Sequence, residues 1–187
     1  MEQQYPSYDY TEYFFNEDKS PKKIIIHFRN NGAIDIVDFF YNQANLLDSI
    51  HDTNDGINFT SAIIQYEGAD VSAVTLNYPY FHNGVRSQQL FQYTYDKSLP
   101  NVFKTLPPLW YIYHVPFGTY NYQTSWVQFN FELITKLFSQ NTFTQIRSDF
   151  AFYDVDTLHY TLNSAGKLQQ EWYTSFPDRS TNYNYGN

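Results

Sequence analysis

The stretch Asp156 to Thr174, DTLHYTLNSAGKLQQEWYT, leaves the chain few alternatives, because residue alternation and turn chemistry agree there on one geometry. Leu158, Tyr160 and Leu162 alternate with Thr157, His159 and Thr161; after a break, Leu168, Gln170 and Trp172 alternate with Gln169, Glu171 and Tyr173. Alternation of this kind marks strands with two unlike faces. A loop of Ser164, Ala165 and Gly166 pairs Leu162 with Leu168 and Leu158 with Trp172, whereas a loop from Asn163 to Gly166 sets Leu162 against Lys167. The shorter loop is preferred. It calls for a type I turn closed by a left-handed residue, and Gly166 stands where only glycine escapes the Cβ penalty. In that register Glu171 lies opposite His159 as a cross-strand pair on the solvent face.

Most of the chain reads as further strands. One begins at Lys22, with Ile24, Ile26 and Phe28 on one face, and ends at Asn30-Asn31-Gly32, a turn signal. The segment from Ala33 to His51 fits two periods. As strand, Ile34 and Ile36 pair across the turn with Phe28 and Ile26. As helix, Ile36, Phe40, Gln43, Leu47 and Ile50 share a stripe that Val37 and Ala44 widen. The helical match is longer, so a helix is expected from Asp38 to Ser49, its first turn weakened by β-branched residues.

From Ile57 strand follows strand, with turns at Gly68-Ala69-Asp70 and Asn83-Gly84. Ser87 to Tyr95 places Gln89, Phe91, Tyr93 and Tyr95 on one face, and a loop with three prolines runs from Asp96 to Pro108. Leu109 to Val115 is apolar on both sides. The strand that follows changes its inward parity near Ser125 and Trp126, as at a bulge. Glu132 to Gln140 fits either a helical turn or a strand, and Thr142 to Val155 reads as one strand.

The expected fold is mostly β, with α+β admitted: an antiparallel barrel or strongly curved sheet of about eight strands with one N-terminal helix. The barrel resembles a lipocalin-type calycin in architecture, and the curved sheet is similar to the cone-shaped fold of nuclear transport factor 2. The expected organisation is a flexible aromatic and acidic tail over residues 1–21, a single antiparallel domain over 22–176 and a flexible tail over 177–187.

Composition narrows the functions. The absence of Cys excludes disulfides, thiolate ligands and a cysteine nucleophile. Charged residues are only 16% of the chain while aromatics reach 21%, with 19 Tyr and 17 Phe, a balance suited to half-wet faces and pockets. A net charge of −8 with only 11 Lys and Arg argues against a nucleic-acid groove. No window approaches an apolar membrane span and the first residues are polar, so no signal peptide or membrane span, and a cytoplasmic location, are expected.

His51 to Gly56 looks like a calcium loop, but with Gly56 at the sixth position His51 and Ala62 take places that require carboxylates. The histidines show no metal spacing, so neither a metal nor another cofactor is expected. His114 alternates with Trp110 and Ile112 and is a weak candidate for general acid or base. The remaining signal is aromatic. Tyr93, Tyr95, Trp110, Tyr113, Tyr122 and Trp126 are the expected ligand-binding walls of a non-catalytic module for a small hydrophobic or aromatic ligand. One alternative is a structural or assembly protein, associating with itself or a protein partner through aromatic surfaces and Tyr-rich tails. Another is a small lyase- or isomerase-type enzyme using His114 and a carboxylate.

Overall fold

The computed structural model describes residues 8–28, 34–54, 58–81, 85–105, 136, 138–148 and 155–185. Among them are eleven strands: β1 (Tyr8–Phe15), β2 (Pro21–Phe28), β3 (Ile34–Tyr41), β4 (Leu47–Asn54), β5 (Asn58–Glu67), β6 (Asp70–Phe81), β7 (Val85–Pro100), β8 (Asn141–Ser148), β9 (Val155–Leu162), β10 (Leu168–Tyr173) and β11 (Phe176–Asn182). A 3₁₀ turn, Val102–Thr105, follows β7. The strands form one sheet in sequence order from β1 to β11. Among the described residues it is not closed into a barrel. The antiparallel β class holds; the expectations of about eight strands and an N-terminal helix do not.

The segment expected to be helical is the hairpin β3–β4, with Phe39 opposite Ile50 and Phe40 opposite Ser49. Pairing with β2 on one side and β5 on the other gives its β-branched and aromatic residues a sheet environment. Its turn decides the matter locally. Asn42 N–H donates to Leu46 O and Asn45 N–H to Asn42 O, each at 2.9 Å, and the Asn42 side-chain oxygen accepts from Ala44 N–H and Leu46 N–H. Asn45 sits at φ 58°, a left-handed conformation that Asn tolerates better than most residues.

The same turn recurs twice. Asn163 N–H bonds Lys167 O at 2.8 Å, Gly166 N–H bonds Asn163 O at 2.9 Å, and Gly166 has φ 73°, as its glycine predicts. Asn16 N–H bonds Ser20 O at 2.9 Å, with Lys19 at φ 68° in the left-handed seat. Each is a type I turn closed by a left-handed residue, opened by Asn. The segment Thr142 to Val155, read as one strand, contains the end of β8 and the start of β9, which pair antiparallel with Gln145 opposite Thr157. Strand β1 lies before residue 22 and β11 reaches past residue 176, so the sheet extends into both expected tails.

The described residues fall into two compact units. Unit 1 draws on Met1–Ile64 and Thr75–Gln88; unit 2 draws on Gln65–Val74, Gln89–Val115 and Asn130–Asn187. In unit 1 the register aligns Ile24, Val37 and Asp52 on one face, and Ile50 with Ala62. All five are buried, together with Ile26. The opposite face mixes exposed Phe14, Phe40 and Ile63 with ion pairs between Lys23 and Asp38 at 3.2 Å and between His27 and Glu12 at 2.8 Å.

Candidate functional site

In unit 2 one irregularity sets the chemistry. β10 pairs Leu168 with Leu162, as the loop length requires, but the next pair is Gln170 with Thr161. Gln169 is an extra residue, a bulge, and it reverses the parity of everything after it. Glu171 therefore stands opposite Tyr160 rather than His159, and is buried. The expected solvent-face pair of Glu171 and His159 is overturned. Trp172 takes that place, its ring stacked on His159 at 5.4 Å and 15°. The bulge is pinned from the other side, where Tyr183 N–H donates to Gln169 O at 2.9 Å.

A buried carboxylate needs partners, and Glu171 Oε1 has two. Lys136 Nζ donates at 2.8 Å and the Tyr183 hydroxyl at 2.7 Å. Both charged side chains are nearly inaccessible, Lys136 at 6% and Glu171 at 9%. Glu171 Oε2 is also buried and, among the described residues, has no hydrogen-bond partner. Lys136 Nζ lies 4.8 Å from the centre of the Phe103 ring, a cation–π contact.

An aromatic cluster continues from that ring. Phe103 and Phe143 are stacked at 6.0 Å, and Tyr93 meets Phe143 edge-on at 5.7 Å and 78°. Phe103 and Phe143 are fully buried and Tyr93 nearly so. Asn101 ties the cluster to the ion pair. Its side-chain amide donates to Lys136 O at 2.9 Å and to Ser139 O at 2.8 Å, and its Oδ1 accepts from Phe103 N–H at 3.0 Å. One buried side chain thus fixes the backbone of both Lys136 and Phe103.

Of the residues expected to line a ligand site, Tyr93 joins this cluster. Tyr95 is committed elsewhere: its hydroxyl donates to Val71 O at 2.7 Å and lies 2.7 Å from Ser139 Oγ, which in turn accepts from Val71 N–H. Burial pushes the Tyr95 phenol well above the ordinary range, against a smaller lowering from Ser139. Beside it, Asp70 accepts from both Asn141 N–H and Asn141 Nδ2, at 2.7 Å and 2.8 Å. Trp110, Tyr113, His114, Tyr122 and Trp126 lie outside the described residues. Lys136, Tyr183, Phe103, Phe143 and Asn101 are not among the expected site residues, and Glu171 is expected only as a solvent-face partner of His159. The available signal was Lys136 itself, a lone cation in the apolar run FELITKLF.

No protein-family profile matches the chain, and no curated protein does. In fold the chain is similar to the crystal structure of a porin-like protein from Bacteroides uniformis, with a TM-score of 0.52 at 16% identity. The match covers 86% of this chain and 60% of that one, so the chain spans less than two thirds of its neighbour. Among the described residues no helix is long and apolar enough to cross a membrane.

Proposed function

We propose that the chain is a non-catalytic binding module that holds a small ligand with an aromatic or apolar body against the aromatic cluster of unit 2. The observation that carries this reading is where the cluster leads. Among the described residues the ring contacts run from Tyr93 through Phe143 to Phe103 and on to a buried Lys136–Glu171 pair with one carboxylate oxygen unbonded. A bare buried acceptor costs about 1–3 kcal/mol, so packing for stability alone gives no reason to keep it. Ligand sites, by contrast, combine an apolar lining with a few placed polar groups.

The porin-like neighbour raises a membrane channel as a competing idea. A membrane barrel turns apolar residues outward and polar ones inward. Along β7 and β8 the polarity runs the other way: Gln92, Thr94, Gln145 and Arg147 are exposed while Phe91, Tyr93 and Phe143 are buried. That supports a binder over a lipid-facing wall.

The test is a titration of the full chain with naphthalene and an anilinonaphthalene sulfonate dye, read by Trp and dye fluorescence. Saturable binding that weakens in Tyr93→Leu is expected; no response to either probe would sink the proposal.

A second reading has its own observation, in unit 1. Phe40 and Ile63 both lie opposite Ser49 and are exposed at 47% and 46%, beside exposed Phe14 and Phe15 on the same sheet. These exposed apolar side chains, set among the ion pairs of the same face, suit a contact with a second copy of the chain. Light scattering decides it: a dimer that Phe40→Ser together with Ile63→Ser converts to monomer supports the contact, and a monomer at tens of micromolar rejects it.

A further inference from the structure

The two oxygens of Glu171 are used unequally. Oε1 receives both Lys136 and Tyr183, at 2.8 Å and 2.7 Å, while Oε2, also buried, receives no donor among the described residues. An ionised carboxylate is an acceptor only, with room for about four hydrogen bonds. The fold therefore holds a strong acceptor in reserve, in buried surroundings where a hydrogen bond counts for more.

Charge decides which donor suits it. Lys136 already balances Glu171, and burying a third full charge beside this pair is strongly unfavourable. A neutral hydroxyl adds a donor and no charge. Tyr183 demonstrates the match within the chain, since a phenol hydroxyl sits on this carboxylate at 2.7 Å. Tyr183 follows the last residue of β11 and belongs to a non-strand segment, held by its bond to Gln169 O and by Lys167 Nζ placed 5.0 Å over the Tyr185 ring. Both tethers come from β10 or from the residue that precedes it, so the segment lies across the strand that carries Glu171.

We propose that Glu171 Oε2 receives the hydroxyl end of a phenol- or alcohol-ended ligand, and that the C-terminal segment around Tyr183 closes over this site and competes for the carboxylate through its own phenol. This rests on the binding-module reading above. It names the polar end of the ligand and the element that regulates access to it.

The experiment titrates the full chain with para-cresol, toluene and para-methylbenzylamine, which share a ring and a methyl group and differ in the polar end. Binding is followed by calorimetry and by the carbon NMR signal of the Glu171 carboxylate. A hydrogen bond to a charged acceptor corresponds to about ten-fold or more in affinity. Para-cresol is therefore expected to bind at least that much more tightly than toluene or the amine, and to move the Glu171 signal. Glu171→Gln should shrink the advantage of para-cresol over toluene to within about two-fold, and Tyr183→Phe should strengthen para-cresol binding severalfold.

Equal affinities for para-cresol and toluene in the native chain, with an unmoved Glu171 signal, overturn the hydroxyl site while leaving the apolar binding module standing. Tighter binding of the amine overturns the neutral-donor assignment. Unchanged para-cresol affinity in Tyr183→Phe overturns the closing role of the C-terminal segment. Failure of all probes to bind removes the binding module and this site with it. The comparison among ligands uses the native chain, so it decides the matter even where Glu171→Gln does not fold.

Discussion

Trp172 stands opposite His159, ring on ring at 5.4 Å, where an unbroken register from the β9–β10 turn would put Glu171. A single bulged residue, Gln169, makes that exchange. Its effect is thermodynamic as well as geometric, because it carries a carboxylate from the solvent face into the interior. The imidazole that would have met the carboxylate bonds Thr174 Oγ1 at 2.8 Å instead, on the exposed side. The buried carboxylate then requires Lys136, and Lys136 requires the backbone hold that Asn101 provides.

The first prediction concerns that pair. Lys136→Met leaves Glu171 buried without compensation and is expected to destabilise by about 3–5 kcal/mol. Adding Glu171→Leu removes the orphaned charge and should recover most of the loss, since an apolar replacement of a buried ion pair is often near neutral. Urea unfolding of both single variants and the double variant gives the coupling. Purely additive losses would mean that the two side chains do not stabilise each other.

The bulge was not legible because Gln169 and Gln170 are alike in polarity, so inserting one residue between Leu168 and Glu171 leaves no break in the alternation. The turn before it was legible, since Gly166 marks the left-handed seat. The two sister turns hid for the opposite reason: Lys19 and Asn45 hold that seat without glycine, and the Asn that opens each turn is a weak signal alone. Without the turn at Asn42–Leu46, the apolar residues from Ile36 to Ile50 fit a helix as well as two strands. Lys136 lay in plain view, yet its partner is 35 residues away and on a face that the bulge alone exposes to it.

The turns yield a second prediction. An L-residue in the left-handed region costs about 1–2 kcal/mol, and glycine escapes this at some expense in unfolded-state entropy. Lys19→Gly is therefore expected to stabilise by roughly 0.5–1 kcal/mol. Gly166→Ala should destabilise by about 1–2 kcal/mol. Nothing lies within 4 Å of a Cβ built on Gly166, so the cost there is conformational and not a clash. Thermal unfolding of the two variants should move in opposite directions; a stabilised Gly166→Ala would refute the turn assignment.

Acid titration gives a third. Asp18 accepts from Ser20 Oγ at 2.6 Å, from Ser20 N–H at 3.0 Å and from Asn45 Nδ2 at 2.8 Å. These donors, the Ser20 hydroxyl first and Asn45 second, hold its carboxyl down to about 2 from 3.8. The folded state favours the ionised form, so the contribution is complete above 3.8 and is lost as pH falls through about 2. The bond from Asn45 links the β1–β2 turn to the β3–β4 turn. Asn45→Ala should raise the midpoint of the Asp18 carboxyl in an NMR titration, and an unmoved midpoint would show that this link does not form.

At the alkaline end the sign reverses. Tyr41 donates its hydroxyl to Pro21 O at 2.7 Å, and burial pushes its phenol up from 10.0 to about 12 against a smaller lowering from Ser20. The folded state therefore binds this proton more tightly than the unfolded one. The stability it contributes is complete below 10.0 and is lost as pH rises through about 12. Tyr95, raised further by its own burial, follows the same sign. Ultraviolet difference spectroscopy should show both phenols ionising late, above the ordinary value of 10.0. Tyr41→Phe should remove one late-titrating group and leave Pro21 O without this donor, a loss of about 1–3 kcal/mol if the carbonyl stays buried and less if water reaches it. An alkaline titration in which Tyr41→Phe changes only the ordinary tyrosine phase would contradict the buried position of this phenol.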